Sequence, residues 1–153
     1  MADGLTRVRR FKDSRVMNGT YGKCYFDSDY LAETNKCSVK VTVNHSDVNQ
    51  CGTLVQGQKV TGVQIAVELT MLHVRSYAVR RVLNALNAGK EVEFTLLTEL
   101  NDPDAYGAER YKISGLTLNE LPIADWEAGK LGEITLSGNA TGIEVLDTAD
   151  HAF

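Results

Sequence analysis

Apolar and polar residues alternate with a period of two over most of the chain, the signature of strands that bury one face and wet the other. Cys37, Val39, Val41 and Val43 alternate with Ser38, Lys40, Thr42 and Asn44. Val63, Ile65, Val67, Leu69 and Met71 alternate with Gln64, Ala66, Glu68 and Thr70. Val92, Phe94, Leu96 and Leu100 alternate with Glu91, Glu93, Thr95, Leu97 and Glu99, placing Glu91 and Glu93 on one strand face. Further strands are predicted at 22–26, 110–118 and 131–141, with a short last one at 143–146. Within 110–118 the apolar phase slips across Gly115, from Tyr111 and Ile113 to Leu116 and Leu118, which predicts a bulge.

One segment has a different period. Between 77 and 88, Ala78, Val79, Val82, Leu83 and Leu86 recur at helical spacing, opposite Arg80, Arg81, Asn84 and Asn87. Ser76 is a natural N-cap and Gly89 a natural C′ residue, so a single helix of about three turns interrupts a β protein. Asn18-Gly19 and Ser28-Asp29 mark turns. Residues 44–59 read as a long polar loop between two strongly alternating strands, and 101–109 as another loop. The expected organisation is a single domain over 1–153, with an arm at 1–17 and a tail at 147–153.

Composition narrows the function. The 153 residues are 43% hydrophobic and 24% charged with two prolines, which suits one globular domain and argues against disorder. Sixteen Lys and Arg against 20 Asp and Glu give a net charge of −4, unsuited to a tight grip on nucleic acid. No apolar run approaches the ~18 residues of a membrane-spanning helix, and the first residues lack the pattern of a secretory signal, so a soluble intracellular domain is expected. The charge is unevenly placed: residues 1–60 carry +3 and residues 61–153 carry −7. The head holds Arg7, Arg9, Arg10, Lys12 and Arg15, and the tail Glu144, Asp147 and Asp150. Such ends can meet within one subunit or head to tail between subunits.

Candidate chemistry is sparse. Gly52-x-x-x-x-Gly57 has the glycine spacing of a phosphate loop, but Gln58 stands where the lysine belongs and a strand follows. His45 lies between Cys37 and Cys51 without the close ligand pair of a structural zinc site. Three widely spaced cysteines, Cys24, Cys37 and Cys51, read as reduced, buried thiols, and Cys37 falls in phase with an apolar strand face. The histidines, His45, His73 and His151, accompany no G-x-S-x-G or H-E-x-x-H motif. The Glu91/Glu93 pair has the residue type of a glycosidase acid/base pair but reads more simply as a solvated sheet face. The basic run from Arg7 to Arg15 reads as an arm that pairs with acidic surface. No enzyme activity, cofactor, metal or small-molecule substrate is expected.

The stretch 22–146 resembles the tube proteins of contractile phage tails, above all those of phage-like bacteriocin (tailocin) elements of Gram-positive bacteria. The likeness rests on blocks in order: Gly22-Lys-Cys-Tyr-Phe-Asp-Ser-Asp, the strand from Ala32 to Val43, Thr61-Gly62 before the long strand to Met71, the helix-Gly-strand unit from His73 to Leu97, and Glu109-Arg110-Tyr111. The resemblance implies a mainly β subunit, a small β-sandwich or partial barrel with one flanking helix. Six such subunits form a ring, and rings stack into a tube with an inner β-barrel. Its implied partners are other copies of itself, a surrounding sheath protein, baseplate, tape-measure and terminator proteins, and DNA in non-specific transit. The implied place is a virion tail or tailocin particle assembled in the bacterial host's cytoplasm. A type VI secretion-like tube and a non-contractile phage tail tube are the alternatives.

If each subunit lends about four strands, the ring closes near ~24 strands, and ~4.8 Å spacing at ~45° tilt leaves a bore of about 40 Å after side chains. Gln64, Glu68, Thr70, Glu91, Glu93, Thr95, Glu133 and Thr135 are the candidates to face that channel. Arg7, Arg9, Arg10, Lys12, Arg15, Asp47, Lys59, Asp147 and Asp150 are the candidates to bridge subunits.

Overall fold

A computed structural model describes residues 12–149; Arg7, Arg9, Arg10 and Asp150 lie outside the described residues. The strands are β1 (Gly22–Phe26), β2 (Asp29–Tyr30), β3 (Thr34–Val48) and β4 (Gly57–Leu72), then, after the helix α1 (Tyr77–Asn87), β5 (Phe94–Leu100), β6 (Glu109–Glu120), β7 (Glu133–Ala140) and β8 (Gly142–Asp147). All pairings are antiparallel, in the order β2-β1-β5-β6-β7-β4-β3, with β8 added to β6.

This one sheet folds over on itself, and β6 is the fold line. Its first part, up to Leu116, pairs with β5, while Thr117, Leu118 and Glu120 pair with β7. The turn from one layer to the other is made at Gly115, where the β5–β6 register shifts and φ is +65°. Only glycine takes that conformation readily, and a Cβ there would collide with the Thr141 side chain. The bulge expected from the phase slip is therefore present. Nearby, a Cβ on Gly138 would run into the Thr117 carbonyl, so the close approach of β6 and β7 also needs a bare backbone.

The two layers enclose one core. Phe26, Phe94, Leu96, Ile113 and Leu116 from one side meet Val67, Leu69, Met71, Ile134 and Leu136 from the other. Each fully buried side chain of this size removes about 1.5–3 kcal/mol worth of apolar surface from water. The helix closes one end: Ala78 is buried against this cluster and Val82 packs on it. Its C-terminus is a Schellman motif, with Gly89 N–H donating to Leu86 O (3.0 Å) and Lys90 N–H to Ala85 O (2.8 Å). Ser76 occupies the N-cap, but its hydroxyl makes no cap hydrogen bond. Leu86, expected on the apolar stripe, is exposed.

Three expectations need correction. Residues 44–59 are not a loop throughout, because β3 continues to Val48 and β4 begins at Gly57, with His45 opposite Val60 and Val48 opposite Gly57. Asn44, His45, Ser46 and Asp47 are polar on both faces, so alternation carries no signal even though every residue has a cross-strand partner. Glu91 and Glu93 are not on a strand, since β5 starts at Phe94. There β1 has already ended opposite Leu96, and β6 crosses at Leu116, so 91–93 have no neighbour to pair with. The cysteines are not all buried: Cys24 is, but Cys37 and Cys51 are exposed. Cys37 points inward from β3, yet β3 is the last strand of its layer, and an open groove separates it from β5 and β6 across the interior.

Candidate functional site

The strand register gathers one broad polar face. On the outer side of the layer formed by β3, β4, β7 and the end of β6, Lys36, Ser38, Lys40 and Thr42 stand opposite Thr70, Glu68, Ala66 and Gln64. The next pairs set Glu68 beside Ser137, Thr70 beside Thr135 and Leu72 beside Glu133. Thr117 and Glu120 on β6 complete it opposite Asn139 and Ser137. Five of the eight channel candidates, Gln64, Glu68, Thr70, Glu133 and Thr135, thus share one surface. The Thr70 and Thr135 hydroxyls are 3.4 Å apart, and Asn35 donates to Glu133 at 3.1 Å. Lys36, Lys40, Glu68, Glu120 and Glu133 nearly cancel in charge, and apart from Ala66 and Leu72 the rest of the face is hydroxyl and amide.

The remaining three candidates lie elsewhere. Thr95 belongs to β5 in the other layer, where its N–H donates to the Asp27 carboxylate and its carbonyl accepts from Asp27 N–H, both at 2.9 Å. Glu91 and Glu93 sit in the segment entering β5. Period two marks a polar face without saying which layer it belongs to, so the grouping needed the register. Ser38, Thr42, Ser137 and Asn139 share the face and were not among the candidates; their own alternation was the available signal.

Opposite the helix end the two layers part. Beyond the Ile65–Ala140 pair, β7 no longer accompanies β4, and β3 with β4 continues as a two-stranded ribbon. Its inner, apolar face is in water: Val41, Val43, Val60 and Val63 are all exposed, Val63 at 56%. Across from it, Val145 on β8 is 58% exposed, and Val39, Val41, Tyr111, Ile113 and Ile143 line an open cleft of about 260 Å³ between the layers. Organised apolar strand surface left in water to this extent marks an interaction surface. Edges free for pairing include the outer side of β3, the outer side of β8, β4 along the ribbon, and the side of the β6 end that faces away from β7.

The charged candidates divide in two. Asp47 and Lys59 lie on the exposed ribbon, next to one another in register. Arg15 and Asp147 instead bind their own subunit. Arg15 donates to the Asp104 carbonyl at 2.9 Å and lies 4.9 Å from the Tyr106 ring centre, and Arg110 meets Asp147 at 3.5 Å. The buried Asp102 fastens the same corner by accepting from the N–H groups of Asn18 (2.9 Å) and Asp104 (3.0 Å). Lys12 is exposed. At the closed end, Arg75 bridges Glu33 (2.9 Å), Asp29 (3.1 Å) and the Tyr30 carbonyl (3.1 Å), and Arg81 pairs with Asp27 while lying over Phe94. The hydrogen bonds that Arg75 donates to Glu33 and Arg81 to Asp27 raise the pKa of the two guanidinium groups. Among the described residues no three His, Cys, Asp or Glu side chains gather where a metal ion could be held.

Residues 9–147 match the family described as phage tail tube protein. The chain is 26% identical over 114 residues to the phage-like element PBSX protein XkdM of Bacillus subtilis (strain 168), covering 74% of this chain and 78% of that one. The uncharacterized protein YqbM of the same organism matches equally well. The fold superposes with a TM-score of 0.69 on a chain of the anti-feeding prophage tube-terminating cap, at 10% identity over 97% of this chain and 100% of that one. It superposes equally, at 0.69, on a chain of the sheath–tube complex of an extracellular contractile injection system, at 7% identity over 91% and 100%. With nine-tenths of its length matching the family, the chain belongs to the phage tail tube proteins and has their structural, non-enzymatic role.

Proposed function

We propose that six copies of this tail tube protein close into a ring, and that rings stack into the hollow inner tube of a contractile tail or tailocin. The layer of β3, β4, β7 and the end of β6 supplies four strands, so a hexamer closes a barrel of ~24 strands with a bore of about 40 Å. The polar face lines that bore. The free edges of β3 and of the end of β6 are the two flanks of this four-stranded layer, and closure brings one subunit's β3 beside the next subunit's β6. Closing a ring in this way also removes edges that otherwise recruit stray chains.

The observation that carries the reading is the nearly neutral hydroxyl and amide surface on the outer side of the four-stranded layer. A bore in which Lys36 and Lys40 are balanced by Glu68, Glu120 and Glu133 does not hold phosphates, so a DNA duplex slides through it. In a tailocin the same tube serves to perforate a membrane. The ribbon, with Val43, Val60 and Val63 in water and Asp47 and Lys59 beside them, covers its apolar face on a neighbouring subunit. Sheath protein packs outside, and baseplate, tape-measure and terminator proteins complete the particle. Negative-stain microscopy of the concentrated protein tests this: rings or tubes with an open bore are expected, and a strict monomer at every concentration overturns it.

A further inference from the structure

The sheet path has two ends, and the fold brings them together. It runs from β1, flanked by the two-residue β2, to β3, and these terminal strands face each other across the interior. Cys24 projects inward from β1 and Cys37 inward from β3, at the place where these two strands approach one another and line the same groove. The two thiols differ in access, since Cys24 is buried and Cys37 is exposed. An open groove of about 460 Å³ runs past both, bordered by Lys23, Lys36, Glu99 and Tyr111. Cys51 stands apart in the loop joining β3 to β4.

We propose that Cys24 and Cys37 form a dithiol–disulfide switch that takes a low-molecular-weight disulfide, such as oxidised glutathione, as its oxidant and covalently closes the open side of the folded sheet. The Cys37 thiolate attacks one sulfur of the small disulfide, forming a mixed disulfide and releasing one glutathione thiolate, which takes up a proton. Cys24 then gives up its proton and attacks Sγ of Cys37, releasing the second glutathione. Two protein thiols are oxidised, one disulfide is reduced to two thiols, and no other reactant is needed. The order of attack follows from access and electrostatics: the Cys24 thiol beside it lowers the Cys37 pKa, and Cys37 together with burial raises the Cys24 pKa. In a reducing compartment the pair stays open; in an oxidising one the bond joins the two terminal strands.

The purified full chain is incubated with oxidised glutathione, alkylated and digested with trypsin without reduction. Lys23, Lys36 and Lys40 place the three cysteines on separate peptides: 24–36, 37–40 and 41–59. The expected product is 24–36 joined to 37–40, with the Cys51 peptide outside the link. Cys24→Ser should stop the reaction at glutathione on Cys37, and iodoacetamide at neutral pH should modify Cys37 about tenfold faster than Cys51. Wild-type protein that carries glutathione on Cys37 without the internal link overturns the proposal. So does a link through Cys51, or equal alkylation rates at Cys37 and Cys51.

Discussion

The two ends of the folded sheet are made of similar residues and have opposite fates. At the helix end Phe26, Phe94, Leu69 and Leu136 are sealed beneath α1, and Arg75 and Arg81 stitch the rim with ion pairs. At the ribbon end Val41, Val43, Val63 and Val145 continue the same inward-facing alternation but remain in water. The first end is finished by its own chain, and the second is left open, to be covered by a neighbouring copy in the tube we propose. One strand pair, β3 with β4, passes through both environments, so in the proposed tube its sequence serves folding at one end and assembly at the other.

The contrast is broken most severely at the closed end. Phe94→Ala should cost about 3–5 kcal/mol, read as a lower midpoint in urea unfolding of the subunit. Gly115→Ala should follow at about 2–3 kcal/mol, because it combines a positive φ with the Thr141 collision. Arg81→Ala is a smaller change. Its side chain and that of Asp27 are 38% and 28% exposed, so solvent screening holds the loss to about 1 kcal/mol. The ribbon gives the reverse result: the double change Val43→Lys with Val63→Glu, which sets opposite charges across the strand pair, should shift subunit stability by less than about 1 kcal/mol. It should nonetheless abolish sedimentable tubes. A large loss of subunit stability from the ribbon changes would erase the distinction between the two ends.

Much of this was legible where one physical signal acted alone. The helix was marked by its period and by Gly89, and the bulge at Gly115 by a slip of phase. Strand ends were legible only where a partner strand agreed with the local pattern. Asn44–Val48 lacks an apolar face but gains strand structure from β4, whereas 91–93 alternates but finds no neighbour. The polar face was half legible: alternation picked out Gln64, Glu68, Thr70, Glu133 and Thr135, yet also admitted Thr95, which the folding of the sheet carries to the other layer. The Cys24–Cys37 meeting had no local signal, because it depends on how the two ends of the sheet close.

The central claim is that the outer face of the β3-β4-β7-β6 layer lines the bore of a six-subunit tube. Cryo-electron microscopy of assembled tubes at side-chain resolution tests it directly. The account predicts six subunits per ring, a barrel of ~24 strands, and Gln64, Glu68, Thr70 and Thr135 directed into the channel with Thr95 outside it. A bore with a net excess of Lys and Arg, or one lined by the β1-β5 layer, would contradict it.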